Sequence, residues 1–170
     1  FYKLKYAYLA GAMANGIASE AMVIALSRAG FLGSFGSAGL LPQRLEGIIH
    51  RLREALPDTP YAFNLIHSPY EEALERGCVD LFLAQGINVV EASAYLDLTP
   101  HVVRYRVAGL RLDAQGQIVI GNKVIIKLSR REVAAKFMQP APPAMLKALV
   151  DQGLISEQQA ALAVHVPMAD

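Results

Sequence analysis

Two ionisable residues stand where hydrophobic sequence would otherwise run on. Glu91 follows Val89-Val90 and precedes Ala92, and Lys127 follows Val124-Ile125-Ile126. A charge at the end of a buried strand must be paired or used, because leaving water without a partner is costly. The two residues either pair and only support the fold, or present charge to a ligand. Asn64, inside Phe63-Asn64-Leu65, puts a lone amide at another strand end, where it caps the next turn or offers a ligand both donor and acceptor. Gly11-Ala12-Met13 closes an apolar run near the N-terminus. Small residues with free backbone amides beside a glycine let a flat ligand approach, and Met13 adds soft packing. Ser93 and Ser129 are weaker polar candidates on the same rim. His67 also lies near a strand end, where a turn role is favoured over a substrate-facing one. His50, His67, His101 and His165 have no spacing suited to a metal, so no metal site is expected.

These positions need parallel strands whose carboxyl ends share one edge, and the chain supplies that rhythm. Apolar runs at residues 6–10, 31–36, 61–66, 88–92 and 124–128 alternate with helical patterns. Ser19 caps a helix through Arg28, with Gly30 as its stop. Pro42 opens a second helix in which Leu45, Ile48, Ile49 and Leu52 repeat at helical spacing. Ser68 with Glu71 reads as a capping box, with Pro69 at the first helical position. Leu74, Cys78, Leu81, Phe82 and Gln85 then form the inner face of that helix. Further helices are expected over 99–108 and 131–137, and residues 112–120 read as a hairpin. Two more helices follow Pro140, Pro142 and Pro143 without an intervening strand, the second capped by Ser156 and Gln159. Tyr95 and Tyr105 either shape a channel or pack in the core. The pattern suits a small doubly wound sheet or the first half of an eight-stranded β/α barrel, which usually takes about 250 residues. The abrupt stop at Asp170 favours an incomplete barrel.

The 170 residues carry a net charge of +1, with 54% hydrophobic and 18% charged residues. Such a balance argues for neither nucleic acid nor membrane, and no apolar run approaches the ~20 residues of a span. One cysteine, Cys78, rules out an intrachain disulfide framework and fits a reducing cytoplasm. Charge is uneven, however. Residues 101–136 hold eight Lys/Arg against two acids, and the remainder eight against thirteen. That basic stretch is either a solvated set of side chains or a face that steers an acidic partner.

The stretches YAYLAGAMANGIASE (6–20), FLGSFGSAGL (31–40), YAFNLIHSP (61–69), VEASAYLDLTP (90–100), VVRYR (102–106), VIIKLSR (124–130) and VPMAD (166–170) closely resemble one family. It is the trans-acting, FMN-dependent enoyl reductases of polyunsaturated fatty acid and trans-acyltransferase polyketide synthases, within the nitronate monooxygenase (2-nitropropane dioxygenase-like) superfamily. The resemblance implies an α/β fold, a (β/α)8 TIM barrel of which 1–137 form the N-terminal half. Residues 138–165 would be an inserted helical hairpin, a lid or substrate subdomain, and 166–170 the start of the next barrel segment. It implies FMN as cofactor, NADPH as hydride donor, and Gly11, Ala12, Met13, Asn64, Glu91, Ser93 and Lys127 as cofactor-binding. Lys127 would stabilise the anionic reduced flavin. The proton donor is expected beyond residue 170. Arg104, Arg106 and Arg130 would receive an acyl carrier protein domain, and a cytoplasmic protein, possible as a homodimer, is implied. A nitronate monooxygenase and a non-catalytic carrier-docking module remain the alternatives.

Overall fold

The computed structural model describes residues 2–170. Five parallel strands form one sheet in the order β1 (Leu9–Ala10), β2 (Leu32–Phe35), β3 (Ala62–Ile66), β4 (Val89–Ser93) and β7 (Lys123–Ile126). Helices α1 (Glu20–Arg28), α2 (Pro42–Ala55) and α3 (Glu72–Ala84) connect the first four. From β4 the chain passes through α4 (Pro100–Ala108) and an antiparallel hairpin of β5 (Leu110–Leu112) and β6 (Ile118–Ile120) into β7. Helices α5 (Arg131–Phe137), α6 (Pro143–Asp151) and α7 (Glu157–Ala163) follow.

Alternation along the strands separates two apolar layers. Phe63, Leu65, Val90, Ala92 and Val124 face the helices and join the main core with Leu45, Ile49, Leu52, Val79 and Phe82. Leu32, Ala62 and Val89 face the other way and pack with Leu9 and Ile125. The second face is concave. Neighbouring strands lie ~4.8 Å apart, so β1 and β4, three steps apart, would be ~14 Å from each other in a flat sheet. Yet the Glu91 carboxylate on β4 meets the Ala12 N–H beyond β1 at 2.7 Å. Only a sheet curled like part of a barrel brings them together.

Several expected elements form, with the expected caps at Ser19 and Ser156 and a further one at Thr99, which was expected inside its helix. The side chains of Ser19, Thr99 and Ser156 accept N–H bonds from Met22, Val102 and Gln159. Others differ. The first strand is two residues long, because Tyr6 and Tyr8 pack on Phe31 and the Tyr8 N–H turns back to the Tyr6 carbonyl. The Ser68–Glu71 capping box is absent: the chain turns at Pro69-Tyr70, and Glu71 precedes α3 without a side-chain cap bond. On α3 the buried face is Glu75, Val79 and Phe82, whereas Leu74 is exposed. The pair α6–α7 packs on α4 and β5, and its Leu146, Leu149, Ile155 and Ala163 belong to the main core. Gln159 Nε2 donates to the Ala108 carbonyl at the C-terminal end of α4. In a β/α unit that end lies opposite the strand carboxyl ends, so α7 is placed away from the mouth that a lid would cover.

A buried ion pair fastens α4 to the last residues. Arg106, fully buried, donates Nη1 and Nη2 to the Asp170 carboxylate at 2.8 and 2.7 Å, and also reaches the carbonyls of Asn122 and Pro167. Asp170 in turn accepts the Val124 N–H at 2.9 Å. Removing one partner strands the other charge in the interior. Asp170→Ala is expected to lower stability by ~3–5 kcal/mol in denaturant titration. A second sensitive point is Gly36, where an added Cβ would stand 1.6 Å from the Met13 carbonyl oxygen. Gly36→Ala must displace the β1–α1 loop and is expected to cost ~1–3 kcal/mol, read from the same titration.

Candidate active site

The parallel strands bring their carboxyl ends to one edge of the concave face. Register places Asn64 beside Glu91, Ile66 beside Ser93, and Glu91 beside Ile125, one alternation short of Lys127. At the centre is Glu91, with no accessible surface. Its Oε2 accepts the Ala12 N–H, and its Oε1 lies 2.5 Å from Lys127 Nζ. That second contact is ionic, since Oε1 has no aligned hydrogen bond among the described residues. Lys127 is 45% exposed, so the pair runs from a dry carboxylate to an ammonium at the rim. Gly11 lies against both: a Cβ there would come within 3.4 Å of Glu91 Oε1 and 3.8 Å of Lys127 Nζ.

The structure brings Gly11, Ala12, Asn64, Glu91, Ser93 and Lys127 together. It alters two details. The Ala12 amide is held by Glu91 rather than left open to a ligand. Asn64 Nδ2 donates to the Glu91 carbonyl and to Ser93 Oγ, both at 2.9 Å, so Oδ1 is the group left for a ligand. Met13 is exposed beside the rim. Ser34 was not anticipated. It is buried two residues on from Leu32, hence on the same face, and its hydroxyl has no partner among the described residues. Its signal in the sequence is a serine inside an apolar strand.

A second polar cluster lies on the helix side of the rim. Glu75, buried on α3, accepts from Tyr95 OH at 2.9 Å and from the Thr99 hydroxyl through Oε1. Its Oε2 contacts His67 Nδ1 at 2.9 Å, and the His67 ring stacks on Tyr95. Burial, with the Glu75 charge beside it, holds the Tyr95 hydroxyl well above the usual range, so it stays a donor. Glu75 could have been noticed as an acid at i, i+4 and i+7 spacing with Val79 and Phe82.

Tyr95 is therefore committed to this network, and Tyr105 is buried with its hydroxyl on the Ile87 carbonyl; neither lines a channel. The basic stretch is not a uniform face. Arg106 lies in the interior on Asp170, which removes it from any surface a carrier could touch. Arg104 pairs with Asp80, Lys136 with Asp97 at 2.6 Å, and exposed Arg130 with Glu132 at 2.6 Å. A cavity of ~510 Å³ opens at the opposite edge near Arg53, Tyr61 and Asn88. In β/α folds that edge serves stability rather than chemistry.

No model of a known protein family matches the chain. A polyunsaturated fatty acid synthase polypeptide of Thraustochytrium sp. is 51% identical over 160 residues, which are 94% of this chain and 11% of that protein. Polyketide biosynthesis protein PksE of Bacillus subtilis is 43% identical over 170 residues, which are 99% of this chain and 22% of that protein. Among solved structures, the enoyl reductase domain of MlnA, from the macrolactin biosynthesis cluster of Bacillus amyloliquefaciens, matches with TM-score 0.94 and 37% identity. That match covers 99% of this chain and 39% of the other. FabK from Thermotoga maritima, at 22% identity and TM-score 0.53 over 89% of this chain and 39% of its own, shares the fold. The chain is thus similar to polyketide and polyunsaturated fatty acid synthase proteins, and it spans only part of each of them.

The Glu91–Lys127 contact makes its own prediction. In a double-mutant cycle, Lys127→Met and Glu91→Leu are expected to be non-additive by ~0.5–3 kcal/mol in denaturant unfolding. Additive losses would mean that the pair is not coupled.

Proposed function

We propose that the chain is part of an FMN-dependent enoyl reductase that uses NADPH and acts in trans on carrier-bound 2-enoyl thioesters in polyketide or polyunsaturated fatty acid biosynthesis. The observation that carries this reading is the arrangement around Gly11. A glycine without side chain lies against a buried carboxylate and a half-exposed ammonium, at the strand ends where β/α folds do chemistry. The residues fit a flat, partly anionic group: Gly11 leaves its face open, and Ser34 offers a buried hydroxyl, without a partner among the described residues, on the same concave face.

Gly11, Ala12, Met13, Asn64, Glu91, Ser93 and Lys127 are the residues that would hold FMN. When bound, the flavin supplies hydride transfer between a nicotinamide and the conjugated double bond. Lys127 contributes a cation that favours negative charge on a ring edge. Glu91 keeps that cation in place, and Ala12 N–H keeps Glu91 in place. Asn64 fixes Ser93 through Nδ2 and presents Oδ1 as an acceptor. The acid that protonates the substrate α-carbon belongs, in this reading, to residues outside these 170. Exposed Arg130 is the one of the three expected arginines suited to meet an acidic carrier surface.

The test uses the complete protein. It should purify with, or take up, FMN; NADPH should bleach the flavin absorption without oxygen, and but-2-enoyl thioester should restore it. A protein that binds no FMN, or a reduced flavin that only oxygen reoxidises in the presence of nitroalkane, overturns the reading. Lys127→Ala is expected to weaken FMN binding at least tenfold, as loss of one charged hydrogen bond worth ~1.5–3 kcal/mol would do. Flavin titration measures it.

A further inference from the structure

A second cavity, of ~350 Å³, opens between the β2–α2 loop and α3, bordering the site and sharing Asn64 with it. We infer that this cleft holds the hydrocarbon tail of the acyl substrate and so sets the chain length the protein accepts. The inference rests on the reductase reading and adds to it a substrate class: enoyl thioesters with a medium or long apolar tail.

Position is the first argument. Asn64 and Ile66 line the cleft, and they alternate on β3 with the same facing as Ala62, which packs in the concave layer. Ile66 pairs in register with Ser93, and Asn64 with Glu91. The cleft is therefore continuous with the rim that carries Glu91 and Lys127.

Chemistry is the second. Apart from Asn64 Oδ1, the deep polar groups of the cleft are matched within the protein. Ser37 Oγ donates to the Asn64 carbonyl, Asn64 Nδ2 donates to Glu91 and Ser93, and Glu75 accepts from Tyr95 and Thr99 and contacts His67. The rest of the lining is mostly apolar: Ala38, Leu40, Leu41, Ile66, Leu74 and Cys78, joined by half-buried Ser68 and exposed Glu71. Burial and the nearby Glu75 charge push the Cys78 thiol up, which keeps it neutral and soft. Such a wall suits methylenes or alkenes. It suits the amide-bearing arm of a thioester less, because most of the buried polar groups are spent on partners within the protein.

Rigidity is the third. The outer wall, 37–41, is braced from behind: Asn15 N–H donates to the Ala38 carbonyl, and Asn15 Oδ1 occupies the place a Cβ on Gly39 would take. Gly77 on α3 approaches Pro42 so closely that a Cβ would touch Pro42 Cγ at 3.6 Å. The walls are set before a ligand arrives, so binding pays little in ordering. Leu41 and Leu74 stay exposed at the opening, where a tail would cover them.

The experiment compares thioesters that differ only in tail length. Titration calorimetry on the complete protein with saturated butanoyl and dodecanoyl N-acetylcysteamine thioesters should show at least tenfold tighter binding of the longer chain. Leu74→Trp, which fills the cleft from α3, should erase that preference. It should also lower kcat/KM for dodec-2-enoyl thioester at least tenfold more than for but-2-enoyl thioester. Equal affinity for the two saturated thioesters in the unaltered protein overturns the inference without any variant. Equal losses for both enoyl substrates in Leu74→Trp overturn it as well. Failure of the unaltered protein to reduce either enoyl thioester is a different result: it overturns the reductase reading, while a length-dependent affinity lost in Leu74→Trp still identifies the cleft.

Discussion

One carboxylate joins the two margins of the sheet. Glu91 takes a backbone N–H from beyond β1 and an ammonium from beyond β7, across the concave face. The backbone donor cannot move without moving the β1–α1 loop, so the carboxylate is aimed before any ligand binds. Its aim fixes where the positive end of Lys127 stands. Register decides all of this. A slip of one residue in β4 would turn Glu91 into the helix layer and bring Val90 to the concave face. Helix-facing Val90 and Ala92 are fully buried, which makes such a slip prohibitive. The hydrophobic alternation that builds the fold therefore also sets the charge at its mouth.

The uneven charge along the chain has a folding explanation. Basic groups of residues 101–136 find acids supplied largely from elsewhere: Arg104 meets Asp80, Lys127 meets Glu91, Lys136 meets Asp97 and Arg106 meets Asp170. Exposed pairs of this kind contribute little each, whereas the buried Arg106–Asp170 pair specifies where α4 sits. An excess of one sign in a segment is thus satisfied by the rest of the chain, and what looks in one dimension like a docking face is in three dimensions a set of joints.

Residues whose role is local were legible in the sequence. Ser19 and Ser156 cap their helices through bonds three residues ahead, and Pro42 opens a helix where φ is already set. Glu91 and Lys127 were legible because a charge interrupting an apolar run has few explanations. What stayed hidden depends on partners far along the chain. Arg106 reads as surface charge until Asp170, 64 residues on, is seen beside it. Glu75 reads as a solvated helix residue until Tyr95, Thr99 and His67 are brought around it. The same network explains why Leu74, expected inside, is outside: the phase of α3 follows the buried acid and its partners rather than the apolar count.

The rim works as two linked layers, and Ala94 is the hinge between them. Ser93 bonds Asn64 toward the concave face, while Tyr95, two residues on, enters the helix layer under Glu75. Ala94 accomplishes the reversal at φ 64°, a left-handed conformation that costs a residue other than glycine ~1–3 kcal/mol. The bonds on either side hold it there. His67 does the corresponding work after β3: its N–H is tied to the Ser93 carbonyl, and its ring is drawn outward onto Tyr95 and Glu75. Bracing from the helix side thus holds Asn64 and Ser93 at the site. The buried acid on α3 thereby shapes the mouth from the helix side.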